Sequence, residues 1–390
     1  MARGAGCDHS MTVVQTLAGK QIVIAVTGSI AAVEVVKLIH SLRRCGALVQ
    51  PVMSQAASGI IHPDALTYAS GKGTITRLSG HVEHVTWCGD GGRADLLLIA
   101  PCTANTISKI ACGIDDTPVT TFATTALGSK KPVIIVPAMH HSMYRHPAVT
   151  DNIAKLRQWG VEIINPRFEE GKAKIADNEE IVLHCERAIM GKRLSGKKVL
   201  ITSGPCRERV DDIRILTTRS IGQMGRALAL QAFRLGADVT VVHRDSFPCV
   251  NNVFAESADD MRSAVHRCFS DKGADIYISA AAVSDFAPKA KKGKIPSGKP
   301  VNPLLNPLPK LLDEVTEKYD AQIIAFKLDK TPEKMARAMI ARGIGMVLSN
   351  TPENLGTVHG NYLLLTKDRK VPLSGTKDEI ATAVWNAVIL

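Results

Sequence analysis

The chain starts the same kind of structure twice. "LAGKQIVIAVTGS" begins at Leu17 and "LSGKKVLITSGP" begins at Leu194. Each is a Gly-Lys turn, a β-branched run and a second turn containing glycine. Each leads into a helical pattern, "IAAVEVVKLIHSLRRCGA" in the first half and "GQMGRALALQAFRLGA" in the second. Both patterns end in Gly-Ala, with Gly46 and Gly236 where a helix needs a residue that tolerates a left-handed backbone. Both feed another strand, "LVQPVMS" and "DVTVVHR". Strand, helix and strand in that order make a crossover between parallel strands. Two such starts in 390 residues predict an α/β protein of two doubly wound, Rossmann-like domains. The boundary is expected in "AIMGKRLSGKK", residues 188–198. That gives domains over 17–190 and 191–390 behind a flexible N-terminus, 1–16.

The net charge of +11 raises the question of a nucleic-acid partner. Aromatic residues are only 4%, too few for stacking platforms, and the basic residues are dispersed apart from "KAKKGK" at 289–294. The charge therefore points to small anionic ligands rather than to nucleic acid. Nine cysteines with no CxxC pair, and no signal-peptide pattern, predict reduced thiols and a cytoplasmic protein. No apolar run approaches the length of a membrane span.

In the first half, "ADLLLIAP" and "KPVIIVPAM" read as strands covered on both faces. Ligands of such sheets bind beyond the carboxyl ends of the strands. "TGSIAA", "PCTANT" and "PAMHHSMYRHP" all lie at such ends. Gly28 and Ser29 precede a helix whose free N–H groups would suit a phosphate. On this turn alone, the plainer reading of Ser29 as an N-cap is favoured. The turn is not GxGxxG, and no suitable acidic residue follows the second strand, which weighs against a dinucleotide. The small residues of "PCTANT" let a planar ligand approach the backbone. Thr103, Asn105 and Thr106 could bond its heteroatoms or cap the following helix. His81 and His84 stand in "GHVEHVTW", where Val82 and Val85 suggest a strand or loop. No third ligand is evident, so a zinc site is rejected.

In the second half, "ITSGPCRERVDDIRILTTRSIGQMG" reads as strand, polar loop and helix start. The loop could wrap an anionic nucleotide, with Gly222 and Gly225 exposing backbone N–H groups, or be solvated with local ion pairs. "DIYISAAAVSDFAPKAKKGKI" carries more. Its three alanines leave room for a base or ribose, and Asp285 can hold ribose hydroxyls or a metal ion. Lys294 can neutralise charge that grows during nucleotidyl transfer. Lys289, Lys291 and Lys292 read as a mobile basic hairpin.

"GSIAA", "HVTW…ADLLLIAPCTANTISKIACGIDDTP" and "PAMHHSMY", in that order, resemble the flavin-dependent cysteine decarboxylases. "ITSGPCRERVDDIR…GQMG…SAAAVSDF…GKI" resembles the phosphopantothenate–cysteine ligases. Together they resemble the archaeal-like bifunctional enzymes of coenzyme A biosynthesis, over residues 17–385. The resemblance implies a flavodoxin-like first domain with FMN, its phosphate on Gly28, Ser29 and Ile30. Ser54, Pro101, Cys102, Thr103, Ala104 and Asn105 would surround it. His84 would be the base or orienting group of decarboxylation, with His140 and Met143 on the substrate. The implied chemistry is oxidation of the substrate thiol, loss of carbon dioxide and return of a hydride. The family often has Asn where this chain has His140. Its clamp loop carries a cysteine that the matching stretch, "RFEEGKAKIAD", lacks. Lys172 or Lys174 could act there on a phosphate or as an acid, and Cys185 reads as core.

For the ligase half the resemblance implies CTP on Ala280, Ala281, Ala282, Asp285, Lys294, Leu308, Pro309, Lys310, Leu311, Phe326 and Arg342. Arg342 stands where lysine is common. Mg²⁺ would bridge the phosphates. Thr218 and Arg219 would meet substrate, in a segment where Thr218, Ile221 and Gln223 replace the family's Asn, Ser and Lys. CTP would activate the carboxylate of 4'-phosphopantothenate, and cysteine would then displace CMP. Implied too are homo-oligomers built on trimers, up to a dodecamer, with small-molecule partners, no nucleic acid and no membrane. An alternative is a flavoprotein that has lost catalysis and regulates a partner. The retained His84 and the fused ligase half argue against it.

Overall fold

The computed structural model describes residues 14–298, 300–329, 332–354 and 356–389. The chain divides into two compact units, the first ending at Met190 and the second beginning at Gly191. Of the N-terminal stretch expected to be flexible, residues 1–13 lie outside the described residues. Thr16 is tied down: its hydroxyl donates to the buried Glu186 carboxylate.

The first unit is built on a five-stranded parallel sheet. Its strands are β1 (Gln21–Val26), β2 (Leu48–Met53), β3 (Leu96–Cys102), β4 (Val133–Pro137) and, after the short β5 (Met139–His140), β6 (Glu162–Ile163). The order is β2-β1-β3-β4-β6, which in chain order is the flavodoxin-like arrangement. β3 is buried along its whole length. Leu96, Leu98 and Ala100 join one core layer with the helix Val35–Arg44, while Leu97, Ile99 and Cys102 join the other with the helix Pro118–Gly128. The unbroken apolar run has this cause: alternate residues serve opposite faces, and both faces are covered. A separate antiparallel sheet, β5-β8-β7, is made by β5 with β7 (Arg167–Glu169) and β8 (Lys172–Lys174).

The second unit carries an eight-stranded sheet. Its strands are β9 (Lys198–Thr202), β12 (Asp238–His243), β13 (Asn251–Phe254), β14 (Ile276–Ser279), β17 (Gln322–Leu328), β18 (Met346–Asn350), β19 (His359–Leu365) and β20 (Lys370–Thr376). The order is β13-β12-β9-β14-β17-β18-β19-β20. The first six strands are parallel and follow the Rossmann order, reversing between β9 and β14. β19 and β20 extend the sheet antiparallel. Two short hairpins stand off it, β10 (Arg207–Arg209) with β11 (Ile215–Thr217), and β15 (Phe286–Pro288) with β16 (Leu305–Pro307). The closing helix, Lys377–Ile389, is fixed to the helix Gln223–Arg234 by the fully buried Trp385, whose ring N–H donates to the Leu228 carbonyl at 2.9 Å. No helix among the described residues is long and apolar enough to cross a membrane.

Candidate active sites

Both sheets reverse their winding between two neighbouring strands, and the loops leaving those strands part there. In the first unit the strands are β1 and β3. Thr27, directly after β1, holds the two loops together. Its hydroxyl donates to the Pro101 carbonyl at 2.8 Å and accepts from the Thr103 N–H at 3.0 Å. Sequence reasoning missed Thr27, although a buried hydroxyl closing the run "VIAV" was a signal. Gly28 is required by close packing: a Cβ there would lie 2.6 Å from the Ala56 Cβ. Ser54 accepts from the Ala57 N–H at 3.3 Å and so caps the short helix Gln55–Ser58.

Ser29 departs from the plainer expectation, because its side chain makes no capping bond. The chain turns instead into a 3-10 helix, Ile30–Glu34, started by the Ala32 N–H on the Ser29 carbonyl at 2.8 Å. The α-helix begins only at Val35. Thr103 does cap its helix, Ala104–Cys112, by accepting from the Thr106 N–H at 3.3 Å. Cys102 is wholly buried, and burial pushes its thiol well above the usual range, while Asn105 is exposed.

"HVTW" is helical, not the strand or loop that its valines suggested; the helix runs Glu83–Cys88. Three local features override the β-branched propensity. Val82 takes a left-handed φ of 45° that turns the chain into the helix. Glu83 accepts from the Ser79 N–H at 3.0 Å and from the Ser79 hydroxyl, which lower its carboxyl to about 2. Trp87 and Cys88 bury themselves in the core layer that Phe122 also enters. His81 stays exposed before the helix. His84 is half-buried, and its Nδ1 is sealed from solvent with no hydrogen-bond partner. A buried polar atom left unmade costs stability, so this nitrogen is suited to a partner that arrives with a ligand.

The stretch "RFEEGKAKIAD" forms the β7–β8 hairpin, turning through Glu170 and Gly171 at φ of 50° and 69°. β8 also pairs with β5, which sets His140 opposite Lys172, itself opposite Glu169. Residues directly opposed share a face. Lys174 is committed to Glu169 and Glu170, at 3.1 and 3.0 Å. Lys172 is exposed and has no ion pair among the described residues. Met143 is exposed nearby in sequence, and Phe168 of the hairpin meets the rings of His141 and Tyr144 at 4.9 and 5.4 Å. Cys185 is fully buried in the helix Asn178–Ile189.

In the second unit a cavity of about 630 Å³ opens at the β9–β14 reversal. Ala280, Ala281 and Ala282 line it, joined to the end of β9 and the loop after it by the Ala280 N–H on the Thr202 carbonyl and the Ala282 N–H on the Gly204 carbonyl, at 3.2 and 2.9 Å. Gly225 closes the helix onto this loop: a Cβ there would lie 2.2 Å from the Ser203 Oγ and 2.5 Å from its Cβ. Asp285, Pro309, Lys310, Leu311, Phe326 and Arg342 also line the cavity, and Lys310 is ion-paired to Asp285. Leu308 packs against the core instead. Thr218 and Arg219 are exposed and outside the wall, which takes up from Ser220 to Gly225. Lys294 is likewise exposed and not part of the wall.

Lys377 and Tyr362 are among the wall residues that were not foreseen. Lys377, only 9% exposed, donates to the Tyr362 hydroxyl at 2.7 Å. Tyr362 meets Phe326 edge-on, with ring centroids 6.3 Å apart. Burial draws the Lys377 ammonium below its usual range and pushes the Tyr362 hydroxyl up to about 12. The cavity thus joins an apolar shelf to Lys310, Arg342 and a sunken Lys377, a combination that suits a planar base carrying phosphates.

The family profile described as "Flavoprotein" matches residues 10–190. The one described as "DNA/pantothenate metabolism flavoprotein C-terminal domain" matches residues 194–390. The chain is 45% identical over 386 residues to a coenzyme A biosynthesis bifunctional protein CoaBC of Thermococcus kodakarensis, covering 95% of each. It is 33% identical over 391 residues to the protein of that name in Methanocaldococcus jannaschii, covering 95% of this chain and 94% of the relative. Among solved structures it is similar to the C-terminal domain of a CoaBC protein, at 29% identity and a TM-score of 0.42, over 51% of this chain and 96% of that one.

Proposed function

The chain belongs to the family of coenzyme A biosynthesis bifunctional proteins, and from that premise we propose which residues carry its two activities. It is an enzyme with a ligase half and a flavoprotein decarboxylase half. The second unit ligates cysteine to 4'-phosphopantothenate, and the first decarboxylates the product to 4'-phosphopantetheine.

In the ligase, CTP lies in the cavity with its base by Ala280, Ala281 and Ala282 and against Phe326. Lys310, Arg342 and Lys377 neutralise its phosphates, and Lys294 stabilises charge as the carboxylate attacks. Mg²⁺ needs few protein ligands when substrate phosphates supply the rest, so Asp285, which lines the cavity with Asp313, fits it. Arg342 replaces a lysine without loss of charge. Thr218 and Arg219 stand at the edge of the segment that meets the second substrate.

In the decarboxylase, the resident flavin is FMN. The uncapped Ser29 and the unpartnered His84 Nδ1 support its fit to the crevice. Gly28, Ser29 and Ile30 receive its phosphate, and Ser54 and the segment Pro101, Cys102, Thr103, Ala104 and Asn105 shape the ring's surroundings. When bound, the flavin supplies the reversible electron transfer at the thiol that makes decarboxylation feasible. His84 holds a proton at Nδ1. His140 and Met143 orient the substrate, and Lys172, which Lys174 leaves as the unpaired cation of the hairpin, meets its phosphate or carboxylate. Homo-oligomers built on trimers and a cytoplasmic location belong to the same reading.

The cavity at the β9–β14 reversal is the observation that most supports these assignments. The test is made on the purified full chain. It should be yellow and release FMN on denaturation. It should form pyrophosphate from CTP only with 4'-phosphopantothenate and Mg²⁺ present, and carbon dioxide only after cysteine is added. A colourless protein that fails to take up added FMN would end the first assignment; pyrophosphate formed equally well from ATP would end the choice of CTP.

A further inference from the structure

The segment that carries Lys294 is held by a set of hydrogen bonds within the second unit. Residues 291, 293 and 295 are each bound through their backbone to the loop between β10 and β11. The Lys291 N–H donates to the Val210 carbonyl at 3.1 Å. The Gly293 N–H donates to Asp212 Oδ2 at 2.7 Å, and its carbonyl accepts from the Asp212 N–H at 3.4 Å. The Ile295 N–H donates to Asp211 Oδ2 at 3.0 Å, and its carbonyl accepts from Arg214 at 3.2 Å. Asp211 is the centre of this grip. Its side chain is fully buried, and it also accepts from the Ile213 and Arg214 N–H groups at 2.8 and 2.7 Å.

Two carboxylates beside four lysines would be expected to pair with ammonium groups. They do not: both accept from backbone N–H groups of the segment, their ion pairs are with Arg214 and Arg209, and Lys294 has no hydrogen bond or ion pair among the described residues. The acids fix the path of the segment while the lysine between residues 293 and 295 keeps its charge for a ligand. Hydrogen bonds to an ionised acceptor are the stronger kind, and a displacement of an ångström can cost a catalytic group most of its effect.

We propose that Asp211 and Asp212 are positioning residues of the ligase, latching the 291–295 segment so that Lys294 stands where the growing charge needs it. The proposal rests on the reading of Lys294 as the group that stabilises acyl-cytidylate formation. The two carboxylate oxygens of Asp211 have separate tasks. Oδ1 serves the local turn, through the N–H groups of residues 213 and 214; Oδ2 serves the latch, accepting from the Ile295 N–H and from Arg214, whose guanidinium also donates to the Ile295 carbonyl. Asp211→Asn can keep the Oδ1 bonds, but it puts an NH₂ group against the Ile295 N–H and the Arg214 guanidinium, donor against donors.

The experiment measures pyrophosphate release by the full chain with CTP, Mg²⁺ and 4'-phosphopantothenate, and tryptic cleavage after residues 289–294. Asp211→Asn should lower kcat roughly ten- to a hundredfold while the KM for CTP stays within about twofold, the pattern of a misplaced transition-state group. Cleavage of the lysine run should quicken roughly tenfold as the segment opens more often. On a Lys294→Gln background, Asp211→Asn should lower kcat no further, because the two act as one unit. An additive loss of kcat, or unchanged cleavage in Asp211→Asn, overturns the latch. If Lys294→Gln alone leaves pyrophosphate release intact, the catalytic reading of Lys294 fails, and cleavage alone then decides whether the latch exists. Should Asp211→Asn not fold, Asp212→Asn decides by the same readouts, since it keeps the Oδ1 bond to Arg209 and loses the Gly293 acceptor.

Discussion

At the ends of β1, β2 and β3 the hydroxyls of Thr27, Ser54 and Thr103 are all engaged with the chain itself. At the end of β9 the cavity wall carries Lys310, Arg342 and Lys377 around open space. The two crevices grow from nearly the same opening sequence, so the contrast comes from what each must hold. A resident cofactor favours a cradle whose polar groups are fixed before it binds, with few atoms left waiting. A nucleotide consumed in every turnover needs room to enter and leave, and cations that hold charge without enclosing it. The first site accordingly has these three hydroxyls committed, with Ser29 and the His84 Nδ1 left for a ligand, and the second is wide and basic. Substitutions that break this contrast should differ in kind as well as in size.

The largest effect is expected at His84. Among the described residues of the first unit, its Nδ1 is a buried side-chain nitrogen with no hydrogen-bond partner. His84→Asn should slow carbon dioxide release roughly a thousandfold, the middle of the range for a lost general acid or base. Pyrophosphate release and bound flavin should be unchanged. His81→Asn should cost far less, because His81 is exposed ahead of the helix. Equal losses from the two substitutions would mean that the helix, and not one ring, is what the reaction needs.

Gly225 tests the tight point of the second site. Gly225→Ala must displace the Ser203 Cβ, which cannot swing away as a long side chain would. A cost of about 1–3 kcal/mol is the scale for overpacking. It should lower the melting temperature of the chain and weaken CTP binding, while carbon dioxide release from supplied 4'-phosphopantothenoylcysteine is spared. A variant that melts as the parent does would show that the loop after β9 yields easily.

These two residues also mark what was legible in the sequence. Both sheets were readable, because strand seeds, Gly-Ala helix ends and apolar runs report local period and burial on both faces. The helix at "HVTW" was not, since Ser79, Val82 and the burial of Trp87 outvote two valines. The latch was hidden for another reason. Asp211 and Ile295 are 84 positions apart, and nothing in "RVDDIR" says that its carboxylates will reach distant N–H groups as well as the nearby arginines. Lys377 looked like an ordinary charged residue at the start of a helix. Only the packing of that helix brings it to the cavity, behind Tyr362.

Lys377→Met should raise the KM for CTP roughly tenfold with little change in kcat, the scale of one charge-assisted hydrogen bond. The buried ammonium is poorly screened, so this loss should persist in high salt. Lys291→Gln and Lys292→Gln, both exposed, should cost less, and their effects should fade as salt rises. The pH dependence has a definite sign. Burial lowers the Lys377 value, so its charge disappears as pH rises through a range below that of an ordinary lysine. CTP affinity should fall over that range in the parent and stay level in Lys377→Met. A parallel fall in both would place the titrating group elsewhere.

The smallest effect concerns the approach to His84. Glu83 is held to about 2, first by the Ser79 hydroxyl and then by the Ser79 backbone. Its folded value lies below the unfolded value of 4.5, so the stabilisation is present above pH 4.5 and is lost as pH falls towards 2. Ser79→Ala removes the larger of the two interactions and keeps the N–H. The Glu83 carboxyl, followed by NMR, should then titrate above about 2 and still below 4.5. The helix Glu83–Cys88 should fray at a correspondingly higher pH on acidification. Near neutral pH the carboxylate is ionised in both proteins, and the Ser79 N–H still bonds it. Carbon dioxide release there should change by less than about twofold, in keeping with the small worth of an exposed pair. A large loss at neutral pH would mean that the Ser79 hydroxyl sets the position of His84 itself. The contrast with the second site would then narrow, because each catalytic group would hang on a remote oxygen: Lys294 on Asp211, and His84 on Ser79.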